Sequence, residues 1–359
     1  MNQKRINAVI EEMNERGMDY LVISDPSSIE YLIDYCNHPG ERMYVLLLSV
    51  DGNHTLFLNQ LFFLDQELDI NIVWYKDTDD YISMIADKLV GANCVGIDKL
   101  WPAKFLMPLM PMIDECYFEV GSICIDHVRM IKDETEKELM REASRINDQA
   151  IDQVIALCAQ GDLTEIEVTE KVTGIFQSLG CSSFSFPAII AYGPNGADGH
   201  HEGDDTKLKP GDSIVIDMGG LYKGYCSDMT RTVFYKEVTD EQRKVYNLVR
   251  AANEAAEAMI KPGVRLCDID KTARDIISEA GYGENFNHRL GHFIGRDVHE
   301  YGDVSAAFDM EVEEGMIFSI EPGIYLQGNF GVRIEDLVLV TKDGCEVLNS
   351  YSKDLKVIG

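Results

Sequence analysis

Five side chains that carry charge or bind metal are set into runs that are otherwise apolar and strand-like. Asp217 ends Ile214-Val215-Ile216-Asp217, and Asp228 lies in Tyr225-Cys226-Ser227-Asp228-Met229-Thr230-Arg231-Thr232. His292 is held in Leu290-Gly291-His292-Phe293-Ile294-Gly295, and Glu321 follows Ile317-Phe318-Ser319-Ile320. Glu335 is set in Val332-Arg333-Ile334-Glu335-Asp336-Leu337-Val338. A carboxylate buried unpaired at the end of an apolar strand costs several kcal/mol, so a fold containing these runs must offset that cost. Four carboxylates and one imidazole make a mixed oxygen and nitrogen shell, enough for two divalent metals with bridging carboxylates. Each residue alone has a simpler reading. Asp217 before Met218-Gly219-Gly220 is a turn residue, Asp228 pairs with Arg231 or Arg333, His292 is a satisfied core histidine, and Glu321 is a strand-end charge before Pro322. Five such events in one stretch favour the metal.

The surrounding pattern divides the chain. Ile6, Val9, Ile10 and Met13 recur at helical spacing until Gly17. Strand-length runs then alternate with helical ones, at Tyr20–Ile23, Met43–Val50, His54–Leu58, Ile72–Tyr75 and Cys94–Ile97, with a helix near Tyr81–Leu89. No phosphate-cradling glycine loop is present, and the pattern predicts a small α/β domain with a mixed sheet over residues 1–128. From 129 to 359 the texture differs. Asp133 with Glu136 forms a capping pair that opens a long helix to about Gln160. A second helix ends near Gly180, and strands are expected at Ala188–Tyr192, Ser213–Met218 and Tyr225–Tyr235. Helices near Glu241–Ile260 and Asp268–Ala280 and strands near Met316–Ile320 and Val332–Val340 repeat that order. The expectation is a duplicated α+β domain.

Composition excludes several function classes. Asp and Glu number 62 against 32 Lys and Arg, a net charge of −30, which repels phosphate backbones and anionic lipid and argues against nucleic-acid or membrane partners. No apolar run approaches the ~18–20 residues of a membrane span. Met1–Ile6 lacks the apolar core of a signal peptide. The nine cysteines are scattered with no Cys-x-x-Cys pair, as expected of thiols in a reducing cytoplasm.

The ordered motifs resemble a family. Asp217-Met218-Gly219-Gly220 followed by Gly224-Tyr225-Cys226-Ser227-Asp228-Met229-Thr230-Arg231-Thr232 is similar to the paired-aspartate signature of the pita-bread metallopeptidases, the Xaa-Pro dipeptidases (prolidases), aminopeptidases P and methionine aminopeptidases. Gly291 to Glu300 resembles their histidine motif. Glu321-Pro322-Gly323-Ile324-Tyr325 and Gly331-Val332-Arg333-Ile334-Glu335-Asp336 resemble their two glutamate motifs. The first domain resembles that of prolidases and aminopeptidases P, which disfavours a methionine aminopeptidase. The resemblance implies an α+β chain with an N-terminal α/β domain and a pita-bread catalytic domain, working as a cytoplasmic homodimer on proline-containing peptides. It further implies two divalent ions, with Mn the first expectation and Co, Fe or Zn the alternatives.

Carried over motif by motif, the resemblance gives Asp217 to the first metal, Asp228 and Glu335 to both, and His292 and Glu321 to the second. Glu321 would also shuttle the proton from the activated water to the leaving nitrogen. His200 and His299 would contact the scissile amide, while His201 reads as a surface neighbour. Arg333 would orient Glu335 or a substrate group, or form a plain ion pair. Tyr192 and Phe293, with Phe184 and Phe186, are candidate walls for the proline ring, or core. The chain departs from the pattern at Gly199, where proline is usual, and at Phe293, where a small residue is common. It also has no Lys or Arg between Glu300 and Ile320 to meet a dipeptide's terminal carboxylate. Asn37-His38-Pro39-Gly40-Glu41-Arg42 resembles a loop that in these enzymes leans over the active site of a neighbouring subunit, from where Arg42 would supply that contact, with Arg333 the other candidate; the simpler reading is a polar turn. The rivals are an aminopeptidase P acting on longer peptides, a creatinase-like non-peptidase, and a non-catalytic peptide-binding module. The last two usually lose metal ligands, and this chain keeps all five.

Overall fold

The structure is a computed structural model that describes residues 1–64 and 66–359, and it divides into two units, Met1–Arg129 and Met130–Gly359. In the first unit α1 (Gln3–Glu15) buries Ile6, Val9 and Met13, the stripe its spacing demands. It is followed by β1 (Tyr20–Ile23), α2 (Pro26–Ile33), β2 (Val45–Ser49), β3 (Thr55–Asn59), β4 (Asn71–Tyr75), α3 (Tyr81–Ala86), β5 (Cys94–Ile97), α4 (Ala103–Leu109), β6 (Tyr117–Val120) and α5 (Ile123–Met130). The six strands form one sheet in the order β4-β3-β2-β1-β5-β6. β2 runs antiparallel to β1 and β3, and the other neighbours are parallel, so the sheet is mixed. Period-two alternation sends Leu46 and Leu48 to the core under α1 and α2, and Val45 and Leu47 to the core on the opposite face.

The second unit opens with α6 (Glu134–Cys158) and α7 (Glu165–Ser178), each started by a closed capping box, Asp133 with Glu136 and Thr164 with Glu167. Then come β7 (Ser183–Phe184), β8 (Ile189–Tyr192), β9 (Ser213–Met218), β10 (Gly220–Tyr222), β11 (Tyr225–Cys226) and β12 (Met229–Tyr235). The order returns with α8 (Asp240–Met259), α9 (Leu266–Glu279), β13 (Gly291–Phe293), β14 (Glu300–Val304), β15 (Ile317–Ile320), β16 (Gly323–Leu326), β17 (Phe330–Arg333), β18 (Asp336–Val340), β19 (Cys345–Val347) and β20 (Val357–Ile358). One sheet runs β20-β12-β9-β8 and packs with α6 and α7; the other runs β14-β13-β15-β18-β19 and packs with α8 and α9. Two helices and a sheet thus occur twice, as expected.

Two expected strands are divided. Tyr225–Tyr235 breaks into β11 and β12 at Ser227 and Asp228, and Val332–Val340 breaks into β17 and β18 at Ile334 and Glu335. β17 pairs with β16 in a separate hairpin, whereas β18 belongs to the five-stranded sheet. The chain therefore changes sheets at an acidic residue, and that change turns the carboxylate out of both ladders.

Candidate metal centre

The five acidic and imidazole side chains singled out from sequence lie on elements of both halves of the second unit. Asp217 is on β9, Asp228 precedes β12, His292 is central in β13, Glu321 follows β15, and Glu335 precedes β18. His292 Nε2 lies 3.5 Å from Asp228 Oδ2 and 3.6 Å from Glu321 Oε1. One ligand atom from each of Asp228, His292 and Glu335 falls within 4.8 Å of the others.

Neighbouring hydrogen bonds aim these groups. Thr230 Oγ1 donates to Glu335 Oε2 at 2.7 Å, and the Glu335 amide donates to the Thr230 carbonyl at 3.0 Å. Arg231 donates through Nη1 to the Glu335 carbonyl (2.6 Å) and through Nη2 to Asp336 Oδ1 (2.6 Å). Arg333 Nη2 holds Asp217 Oδ2 at 2.6 Å, Nη1 meets the Tyr325 hydroxyl at 2.9 Å, and Nε meets Thr230 Oγ1 at 3.1 Å. Arg231 and Arg333 therefore pair elsewhere than with Asp228, and Arg333 orients Asp217 rather than Glu335. Asp217 Oδ1 and Asp228 Oδ1 are buried with no hydrogen-bond partner among the described residues.

Electrostatics points the same way. Burial, then the charge of Asp217, pushes the Asp228 carboxyl well above the usual carboxylate range. Burial and the neighbouring Asp228, Glu321 and Asp217 do the same to Glu335. Burial raises Glu321 to about 7. Four carboxylates around one guanidinium cannot all ionise comfortably in a dry site. Orphaned oxygens, mutual repulsion and a mixed O/N donor set are what divalent cations would relieve, so the residues present fit such ions.

His299 stands edge-on to His292, ring centroids 4.3 Å apart, and burial lowers it to about 4. Its neighbour Glu300 is fixed by Lys132 Nζ at 2.8 Å. His200 is exposed and follows Gly199, whose carbonyl lies 3.4 Å from Arg333 Nη1, so its segment borders the cluster.

Two expected substrate walls are corrected. Phe293 is not a substrate wall: it is buried against Phe318, centroids 5.3 Å apart, over Gly302, where a Cβ would stand 2.5 Å from its ring. Consecutive strand residues face opposite sides, and His292 already takes the site face. Tyr192 is likewise core. It pairs with Ile214 across β8 and β9, on the face opposite Asp217, and its hydroxyl lies 3.9 Å from Cys158 Sγ. Arg42 clasps Asp77 through Nε and Nη2, both at 2.9 Å, within the first unit. His201 is no surface neighbour but is bonded to the buried Glu165.

Several residues at the site were missed from sequence. Tyr325 bridges Arg333 and His288, whose Nε2 is 3.0 Å from its hydroxyl. Arg289 pairs with Asp303, the cross-strand partner of His292. Asp303 faces His292 through the antiparallel register of β13 and β14, which no period along β13 encodes, and nothing local marks His288.

Residues 138–342 match the family described as metallopeptidase family M24, and residues 5–131 match the creatinase/prolidase N-terminal domain. An uncharacterized peptidase of Staphylococcus aureus (strain USA300) is 36% identical over 97% of this chain and 99% of its own length. A dipeptidase from Pyrococcus horikoshii OT3 superposes with TM-score 0.92 at 32% identity, covering 99% of this chain and 100% of that one. An Xaa-Pro dipeptidase from Bacillus anthracis superposes with TM-score 0.90 at 29% identity, covering 99% of each chain.

Proposed function

We propose that this chain, which belongs to metallopeptidase family M24 and carries a creatinase/prolidase N-terminal domain, hydrolyses the peptide bond before proline in dipeptides. The observation that carries the reading is the convergence of Asp217, Asp228, His292, Glu321 and Glu335, with two buried carboxylate oxygens left unpaired. The dipeptidases among its structural neighbours support the substrate class.

Those five residues would hold two divalent ions, Mn first, whose bound charge activates a water and polarises the scissile carbonyl. The chain's own groups do the rest. Glu321 takes the proton of the attacking water and returns it to the leaving proline nitrogen. His299 and His200 donate to the oxygen that gains charge during attack. Arg333 and Thr230 hold Asp217 and Glu335 in place.

A dipeptide's terminal carboxylate needs a cation. The donors of Arg333 are committed to Asp217, Tyr325, Thr230 and the Gly199 carbonyl, and Arg42 clasps Asp77. Arg289 remains. It is about one-third exposed at the rim beside Asp303, and its charge is felt at His292 and His299. The absence of Lys and Arg from 301 to 320 favours the second reading, an open site that takes longer peptides.

The test is a peptide panel with Mn-loaded protein. Xaa-Pro should turn over faster than Xaa-Pro-Yaa. Arg289→Ala should raise KM for Xaa-Pro roughly tenfold or more, and that for an Xaa-Pro amide far less. Preference for Xaa-Pro-Yaa would transfer the assignment to aminopeptidase P, and equal KM effects would remove Arg289 from substrate binding.

A further inference from the structure

We infer that Glu165 and His201 form a buried brace holding the loop that carries His200, which makes both of them positioning residues; the inference rests on the reaction proposed above. Glu165 is the first residue of α7, and its side chain is fully buried. Its Oε1 accepts the Tyr192 amide at 2.7 Å and Asn195 Nδ2 at 3.0 Å. Its Oε2 accepts His201 Nε2 at 2.7 Å and the Asp204 amide at 3.1 Å. A carboxylate only accepts, so the His201 proton is on Nε2. Donors from residues 192, 195, 201 and 204 thus converge on one carboxylate, which ties the loop to the helix at four points.

Ligand atoms of Glu165, His201 and Asp204 lie within 4.8 Å of one another, the spacing of a cation site. The chemistry rejects that use. A carboxylate has about four lone-pair sites, and four donor groups already occupy them, while the protonated Nε2 has no pair to give a metal. The cluster is a fastening.

What it fastens is the segment around His200. On the other side, Arg333 Nη1 reaches the Gly199 carbonyl at 3.4 Å, and Gln327 Nε2 holds the Ala197 carbonyl at 2.6 Å. Gly331 lets the backbones touch, since a Cβ there would stand 1.7 Å from the Gly196 oxygen. His200 is exposed and irregular in backbone, and it lies between the Gly199 anchor and the His201 anchor. Freed at His201, the imidazole would sample many positions, and a displacement of about 1 Å can cost ~10²-fold in rate.

The test uses the Mn-loaded full chain. Glu165→Gln and His201→Leu should each lower kcat about tenfold or more, with KM within about twofold and metal content unchanged. His201→Gln keeps an N–H donor and should recover most of the loss. In a His200→Ala background, Glu165→Gln should cost nothing further, because the brace acts through His200. Independent, additive losses in that cycle, or an unchanged kcat in His201→Leu, would overturn the inference. If Glu165→Gln does not fold, His201→Leu takes its place in the cycle. If the wild-type chain cleaves no Xaa-Pro peptide, the proposed function falls, and amide exchange across residues 193–206 judges the brace alone. Faster exchange in His201→Leu than in His201→Gln would support it; identical exchange would sink it.

Discussion

Among the described residues Arg333 is the one guanidinium inside a cluster of four carboxylates, and it takes only one oxygen of Asp217. That division leaves Asp217 Oδ1 and Asp228 Oδ1 for cations, and it makes the metal-free site electrostatically poor. Asp228→Asn removes one repelling charge. The metal-free variant should therefore melt at or above the wild-type temperature, while its Mn-induced rise in Tm shrinks and hydrolysis falls by at least ~10²-fold. Calorimetry with and without Mn checks this, and a variant with near-wild-type turnover would remove Asp228 from the site. His288 gives a pH prediction of definite sign. Burial, then the Arg333 charge, lowers it to about 3 from an ordinary 6.5. Below pH 6.5 the unfolded chain takes a proton that the folded chain refuses until about 3. Stability from neutral His288 is thus present above 6.5 and is lost as pH falls towards 3. His288→Gln should lose Tm less steeply than wild type between pH 6.5 and 5; parallel slopes would contradict the assignment.

At the scale of elements, strand alternation decides who faces the site. β13 sends His292 to the acidic cluster and Phe293 to the core beneath α8 and α9, and β9 separates Asp217 from Ile214 and Ile216 in the same way. Phe293→Ala should then cost about 3–5 kcal/mol of stability, as a buried aromatic truncation does, with KM for Xaa-Pro within twofold of wild type. Denaturant melts and steady-state kinetics separate the two effects, and a KM change without a stability change would return Phe293 to the pocket. The helix starts were legible because capping boxes are local: a side chain bonds a backbone group three residues away, as at Asp133 and Glu136. The strand breaks at Asp228 and Glu335 were not legible. Tyr225–Tyr235 and Val332–Val340 each read as one apolar run, and the change of sheet depends on partners more than 100 residues away.

Across the whole molecule, cations and protons compete for one cluster. Glu321 sits at about 7 against an ordinary 4.5, so its protonated form stabilises the folded, metal-free chain at low pH, and that contribution is lost as pH rises through 7. Relative to Glu321→Gln, in which the histidines of the unfolded chain titrate alike, metal-free protein should gain Tm on going from pH 8 to 6.5. Mn-loaded protein should gain less, and a larger gain with Mn bound would contradict the cluster's role. At a metal concentration 100 times Kd the stabilisation is ~2.7 kcal/mol, so chelation should lower Tm by several degrees and added Mn should restore it. The sequence by itself determined the two-part architecture and the doubled order of helices and strands, because periodicity and caps are written within one turn or one strand. It also marked the five candidate ligands, because a charge in an apolar run stands out wherever it folds. Only the tertiary structure decided which cation meets which acid, Arg333 with Asp217 and Arg231 with Asp336. It alone turned Tyr192 and Phe293 inward and joined His201 to Glu165, 36 residues away. Those outcomes are set by distances between segments remote in the chain, and no local pattern of residue types encodes such distances.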